Sequence, residues 1–183
     1  MSQVEIKGQS IRTTLEVIVE LWGVEIARNV TERITGEFAN ALQSRSIVTG
    51  GWYPVDWYVQ LHDSLARLLP QEMDFSRRIG RATTKRDLSG IYRFILALAT
   101  PTMMARHFDK IVASYMRGGT IVVAVGQNMF TVQGHGWAGI TPSLWREAAS
   151  GVEVILEHTG AKSVSSVFRG VPGERLSAEF HWK

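Results

Sequence analysis

The last fifty residues, Gly134 to Lys183, restrict the fold of this chain more than any other stretch. Thr141-Pro142 opens a segment in which Leu144, Ala148, Val152, Ile155 and Leu156 recur at helical spacing until Gly160 stops it. Two alternating runs follow, Ser163 to Phe168 and Leu176 to Trp182, with Gly170-Val171-Pro172-Gly173 as their turn. An earlier pair, Thr120 to Val125 and Met129 to Gln133, reads as a hairpin around Gly126-Gln127-Asn128. Two hairpins separated by a helix predict an antiparallel sheet of about four strands with helices packed on one face.

The front half is helical by the same test. Leu15, Ile18, Val19 and Trp22 share a face up to Gly23, and Val24, Ala27, Val30, Ile34, Phe38 and Leu42 form the next stripe, with Gly36 opposing one continuous helix. Residues 47–54 read as a connection. Pro54 then enters a helix that buries Trp57, Tyr58, Leu61, Leu65, Leu68 and Leu69 before Pro70. Asp74 is placed to cap a helix through Phe75, Ile79 and Ala82, and Ser89 to cap another from Ile91 to Ala99. Thr100-Pro101 starts the last front helix, with Met104, Phe108, Ile111, Val112 and Tyr115 as its stripe. The predicted class is α+β: an N-terminal helical layer packed on a C-terminal antiparallel sheet, with a helix between two hairpins. A length of 183 residues suits one core, so the expected organisation is a flexible N-terminus over 1–10 and a single domain over 11–183.

Composition narrows the function. With 45% hydrophobic and 20% charged residues in long patterned segments, the chain is expected to fold rather than remain disordered. No apolar run approaches the length of about eighteen residues that a membrane span needs, and no secretory leader pattern opens the chain. The absence of cysteine removes disulfides, thiolate catalysis and sulfur-ligated metals. A cytoplasmic protein is the expectation.

Catalytic and metal motifs are equally scarce. His62, His107, His135, His158 and His181 have no ligand spacing and no HExxH pattern, so neither a metal site nor a cofactor is expected. His107 is the one candidate axial haem ligand by its position on an apolar helix, without a companion donor or a site for porphyrin carboxylates. Gly134, Gly136 and Gly139 match GxGxxG literally, but Pro142 at the helix entry and the antiparallel context favour a structural turn. Glu147 and Glu153 lie six residues apart on one helix and do not face each other as a compact pair. An acid–base site would need Glu147 or Glu174 to meet His158 or His181 in the fold, and no catalytic residue is assigned.

Interaction features are stronger. The net charge is only +3, yet Arg77, Arg78, Arg81, Lys85 and Arg86 cluster against Asp74 and Asp87, with Arg77, Arg81 and Lys85 on one helical face. Such a face either pairs with the chain's own carboxylates or meets an acidic partner; no nucleic-acid recognition motif accompanies it. Trp52, Tyr53 and Trp57 gather rigid aromatic area near one helix entrance, as core anchors or as partner anchors.

Ile47-Val48 with Trp52-Tyr53-Pro54, Phe75-Ser76-Arg77-Arg78-Ile79-Gly80, Tyr115-Met116-Arg117-Gly118-Gly119, Gly151-Val152-Glu153 and the Gly173 to Trp182 ending carry a resemblance. Over residues 10–183 the chain resembles a myxobacterial paralogous family of unknown function, which brings no activity to named residues. In architecture it is distantly similar to the small-ligand-binding V4R domain, the haem-nitric-oxide-binding domain and Bet3-like vesicle-tethering subunits. The cysteine-bearing pattern of the first and the tyrosine-x-serine-x-arginine motif of the second are absent, so neither cofactor comes with the fold. What this resemblance implies is an internal apolar pocket and a homodimer through front-half helices, built on the stripes at 24–42 and 91–115.

The expected function is a non-enzymatic adaptor or sensory protein-interaction domain, with Arg77 to Arg86 steering an acidic protein partner and Trp52, Tyr53 and Trp57 anchoring it. The alternative is a small-molecule-binding sensor whose apolar ligand is lined by Phe94, Met104, Phe108, Trp145 and Phe180.

Overall fold

The computed structural model describes residues 3–88, 99–171 and 175–183. β1 (Glu5–Lys7) runs straight into α1 (Gly8–Glu32), which is two helical pieces because Gly23, at φ 86° and ψ 166°, leaves helical geometry. α2 (Gly36–Gln43), β2 (Trp52–Pro54), α3 (Val55–Leu68) and α4 (Phe75–Leu88) follow. The helix expected from Ile91, with its Ser89 cap and Phe94, falls at 89–98, outside the described residues.

The stripe expected after Thr100 forms two short helices, α5 (Pro101–Arg106) and α6 (Phe108–Tyr115), divided at His107. Thr100 caps the first by accepting from the Met103 amide at 3.2 Å, with Pro101 in the first turn. β3 (Met116–Arg117), β4 (Thr120–Gly126) and β5 (Met129–His135) come next. α7 (Pro142–His158) repeats the Thr-Pro start, and β6 (Val164–Val171) and β7 (Arg175–Trp182) close the chain.

The C-terminal sheet is antiparallel throughout, in the order β4-β5-β7-β6. Its register sets Phe130 opposite Phe180 and Val132 opposite Ala178. Strand period does the rest: Leu176, Ala178, Phe180 and Trp182 turn inward from β7 while Arg175, Ser177, Glu179 and His181 face out. Phe130 and Phe180 stack at 4.7 Å, and Phe108 of α6 closes on Phe130 at 5.3 Å, tying helical layer to sheet. The α+β class with a helix between two hairpins is the observed one.

A second, smaller sheet departs from expectation. β1 pairs antiparallel with both β2 and β3, so Glu5 faces Pro54 on one side and Arg117 on the other. A flexible N-terminus over 1–10 therefore does not describe Val4 to Ser10, where Val4 and Ile6 are core residues and the Val4 carbonyl accepts from the Val55 amide at 3.0 Å. Residues 47–54, read as a connection, include the strand β2. Strands of two and three residues carry too few positions for alternation to be visible in sequence.

α4 and α7 cross in contact at two glycines. A Cβ on Gly80 would collide with the Glu147 carbonyl and the Ser150 hydroxyl, and one on Gly151 would meet Thr84 Oγ1 at 2.6 Å. The 24–42 stripe offered for a homodimer is largely internal: Val30, Ile34 and Phe38 are buried, whereas Val24 stands exposed. No helix among the described residues is long and apolar enough to cross a membrane.

Candidate ligand cavity

Two polar pairs, Tyr58–His62 on α3 and Ser143–Glu147 on α7, are each spaced by one helical turn and face each other across the core. Tyr58 donates to Glu147 Oε1 at 2.5 Å, and His62 Nε2 lies 2.5 Å from Glu147 Oε2. The other ring nitrogen, Nδ1, meets Ser143 Oγ at 2.8 Å, and Ser143 meets the buried Ser76 of α4 at 2.5 Å. Thr14 of α1 lies 2.5 Å from the Tyr58 hydroxyl. Because the phenol proton goes to the carboxylate, the Thr14 hydroxyl is the donor of that pair. Burial, then the charge and hydrogen bond of Glu147, push the Tyr58 phenol well above its ordinary value, so it stays a proton donor.

This network edges a cavity of about 490 Å³ between α1, α3, α4, α5, α6 and α7. Most of its wall is apolar: Val55, Met104, Phe108, Ile111, Val112 and Trp145 contribute, with Ile6 and Ile140. From α7 it takes Leu144, Ala148, Val152 and Ile155, the residues that the helical stripe of the sequence singled out. Ala148 is exposed although Leu144 and Val152, one turn on either side, are buried. The surface it shows is cavity wall.

A second polar feature meets the cavity from α4. Asp87 accepts from Gln9 Nε2 at 3.0 Å and from the Tyr115 hydroxyl at 3.1 Å, both neutral donors. Its charge is felt by Tyr58 and adds to the upward push on that phenol. Asp87, Tyr115, Tyr58 and Glu147 thus stand around one space, with Lys110, an exposed residue, as the only cationic side chain on its wall among the described residues.

Of the residues expected to line a ligand, Met104, Phe108 and Trp145 are on this wall. Phe180 is buried beyond it, 6.4 Å from Phe108 between ring centres. Phe94 lies outside the described residues. Sequence reasoning did not single out Tyr58, His62, Asp87, Tyr115 or Thr14 as site residues, although polar residues one turn apart within apolar helical stripes were a visible signal at Tyr58–His62 and Ser143–Glu147.

The basic segment is engaged with carboxylates. Arg77 and Arg81 converge on the buried Glu153 at 2.7 and 3.4 Å, and Arg81 also reaches Glu157 at 2.7 Å. Arg78 pairs with Glu72 at 2.5 Å while lying over the Trp22 ring, and Arg86 reaches Glu16 and Glu20 at 2.8 and 3.5 Å. Lys85 is exposed on the rim of the open hollow that these arginines form. Among the aromatics, Trp57 stacks between Phe38 and Tyr53 at 5.0 and 5.1 Å, and Arg117 lies over Trp52 at 4.6 Å. Tyr53 accepts from the Val48 amide at 2.8 Å, which fixes the 47–54 segment.

The geometry also limits the chemistry. Ser143, His62 and Glu147 stand in series, but Ser143 is tied to Ser76 and is not on the cavity wall, so a substrate carbonyl there would not meet it. His158 bonds the Val154 carbonyl at 2.9 Å and His181 sits 3.6 Å from Glu179, so neither approaches Glu147. No group of three His, Asp or Glu side chains able to hold a metal occurs among the described residues. The Gly134–Gly139 loop is a packing feature: Trp137 donates to the Thr120 carbonyl at 3.0 Å, and Leu176 and Trp137 together fill the space a Cβ on Gly134 would need.

No family model and no curated protein sequence matches the chain. Solved structures do. An Fe(II) unliganded H-NOX protein from K. algicida superposes with a TM-score of 0.73 at 14% identity, over 97% of each chain. An oxygen-binding H-NOX domain related to soluble guanylate cyclases gives 0.65 at 14%, over 97% of this chain and 95% of the other. A structure concerned with haem redox potential and porphyrin distortion gives 0.64 at 11%, over 96% and 99%. The chain has the H-NOX fold.

Its described residues do not fit haem. An iron porphyrin needs an axial donor and partners for its carboxylates. No histidine is on the cavity wall among the described residues, His62 has both nitrogens engaged with Glu147 and Ser143, and His107 is exposed and off the wall. The Tyr58 phenol is held protonated, and two carboxylates face a space where haem would bring its own acids.

Proposed function

We propose that this chain is a non-enzymatic small-molecule sensor whose ligand occupies the cavity between α1, α3, α4, α5, α6 and α7. One observation carries the reading: a cavity of about 490 Å³ with apolar walls and a few convergent polar groups, in the size range of ligand sites at about 300–1,000 Å³. The fold supports it, because the superposed H-NOX structures are described as oxygen-binding or by the state of their iron. The fold is shared while the donor set differs, so the ligand is an organic molecule taken directly by the walls. Ligand occupancy would be felt by six helices at once, which gives a signal a route to the surface.

The adaptor reading draws no comparable support, since its arginines hold Glu72, Glu153 and Glu157 and its aromatics stack on one another. The test uses 1-aminoanthracene, whose emission shifts to the blue and brightens in an apolar site. The expected result is saturable binding, weakened by Ala148→Trp, which fills the cavity from α7. Unchanged binding in that variant, with the fold intact by circular dichroism, counts against the cavity; so does an absence of binding to the unaltered chain.

A further inference from the structure

The charge around the cavity names a ligand class. Taking that cavity reading as its basis, we infer that the site selects a small apolar molecule bearing one protonated amine, held at Asp87 beside Tyr115 and within reach of Glu147.

Four observations lead there. The wall carries two carboxylates, Asp87 and Glu147, and both charges act on the Tyr58 phenol, so they share one environment. Glu147 has His62 behind it at 2.5 Å; one imidazole balances at most one carboxylate whatever its own charge. Among the described residues the hydrogen bonds to Asp87 come from neutral groups, the Gln9 amide and the Tyr115 phenol, and the flanking Arg86 reaches Glu16 and Glu20. A carboxylate beside apolar surface whose described partners are neutral donors gains from a nearby positive charge, and an ammonium supplies one.

The remaining wall suits the rest of such a molecule. Phe108, Trp145, Tyr58 and Tyr115 bring aromatic rings to the wall, a residue type that suits a cation, and Met104 and Val112 suit a hydrocarbon tail. Acidic ligands are disfavoured by the same charges: Lys110 is the one cation on the wall among the described residues, and it is exposed. Porphyrin dicarboxylates and fatty acids are excluded together on this ground.

Three probes of one skeleton separate charge from shape: 4-phenylbutylamine, 4-phenylbutanol and 4-phenylbutyrate, each competing with bound 1-aminoanthracene on the full chain. The amine is expected to bind about ten-fold or more tighter than the alcohol, as a charge-assisted hydrogen bond dictates, and the acid weakest. Asp87→Asn should bring amine and alcohol to parity, each read against that variant's own affinity for the dye. Equal displacement by amine and alcohol, or tighter binding of the acid, overturns the amine assignment and leaves the cavity standing. Loss of the dye signal itself in the unaltered chain overturns both. If Asp87→Asn does not fold, the ranking of the three probes on the unaltered chain decides alone, and Glu147→Gln supplies the second variant, expected to narrow the amine preference.

Discussion

The Tyr58 hydroxyl donates to Glu147 Oε1 at 2.5 Å, joining α3 to α7 across 89 positions of sequence. The pair sets a pH dependence whose sign is fixed. Burial and the Glu147 charge raise the phenol above its ordinary value of 10.0 in the folded state, while the unfolded chain titrates normally. The folded state therefore holds its proton longer. The stabilisation is complete below about pH 10 and is lost as pH rises through the folded value. Melting temperatures taken across that range should fall more steeply for the native chain than for Tyr58→Phe, and parallel curves would contradict the account.

His62 is buried with Glu147 on one nitrogen and Ser143 on the other. His62→Phe keeps a ring of similar size but leaves Glu147 Oε2 without its partner, Tyr58 remaining on Oε1, and should cost about 1–3 kcal/mol in urea unfolding. Combining it with Glu147→Leu should recover part of that loss, because two apolar groups replace a broken polar pair. Strict additivity in the double variant would show that the two residues do not interact.

Glu153 fastens three elements at once: it accepts from Arg77 and Arg81 of α4 and from Ser166 of β6 at 2.7 Å. Glu153→Ala should lower stability by about 1–3 kcal/mol, and Arg77→Ala by less, since Arg81 and Ser166 still satisfy the carboxylate. The reverse order, read from chemical denaturation, would refute the clamp.

At the α4–α7 crossing, Gly80→Ala forces a methyl group against the Glu147 carbonyl. The expected cost is about 1–3 kcal/mol, with weaker probe binding because Gly80 and Glu147 both face the cavity. Gly50→Ala, where a Cβ meets nothing within 4 Å, is the control and should be near neutral.

Periodicity made the C-terminal half legible. The β5–β7 and β6–β7 pairings follow strand alternation, and α7 begins at Pro142 with Thr141 accepting from the Leu144 amide at 3.4 Å. Part of the cavity was legible too, since Met104, Phe108 and Trp145 are apolar residues on helices that pack on a sheet. The small sheet was not, for its strands run over two or three residues that pair across as many as 112 positions, the span of the Glu5–Arg117 bond. Nor was the polar edge. Asp87 reads in sequence as one more charge in a basic segment, and only the fold brings Tyr115 and Gln9 to it. The arginines illustrate the converse: four apart they read as one basic face, open to the chain's own carboxylates or to a partner, and only the fold shows that Glu153, more than seventy positions away, engages two of them.

Intact-complex mass spectrometry of the chain after gentle purification, paired with denaturing mass spectrometry of the same sample, tests the cavity ligand most directly. The account predicts a discrete excess mass of a small organic molecule that disappears on denaturation and is absent from Ala148→Trp, and, where no native ligand is retained, a one-to-one adduct with added 4-phenylbutylamine. Apoprotein mass alone, with neither a retained ligand nor an adduct under conditions that preserve weak complexes, would contradict it.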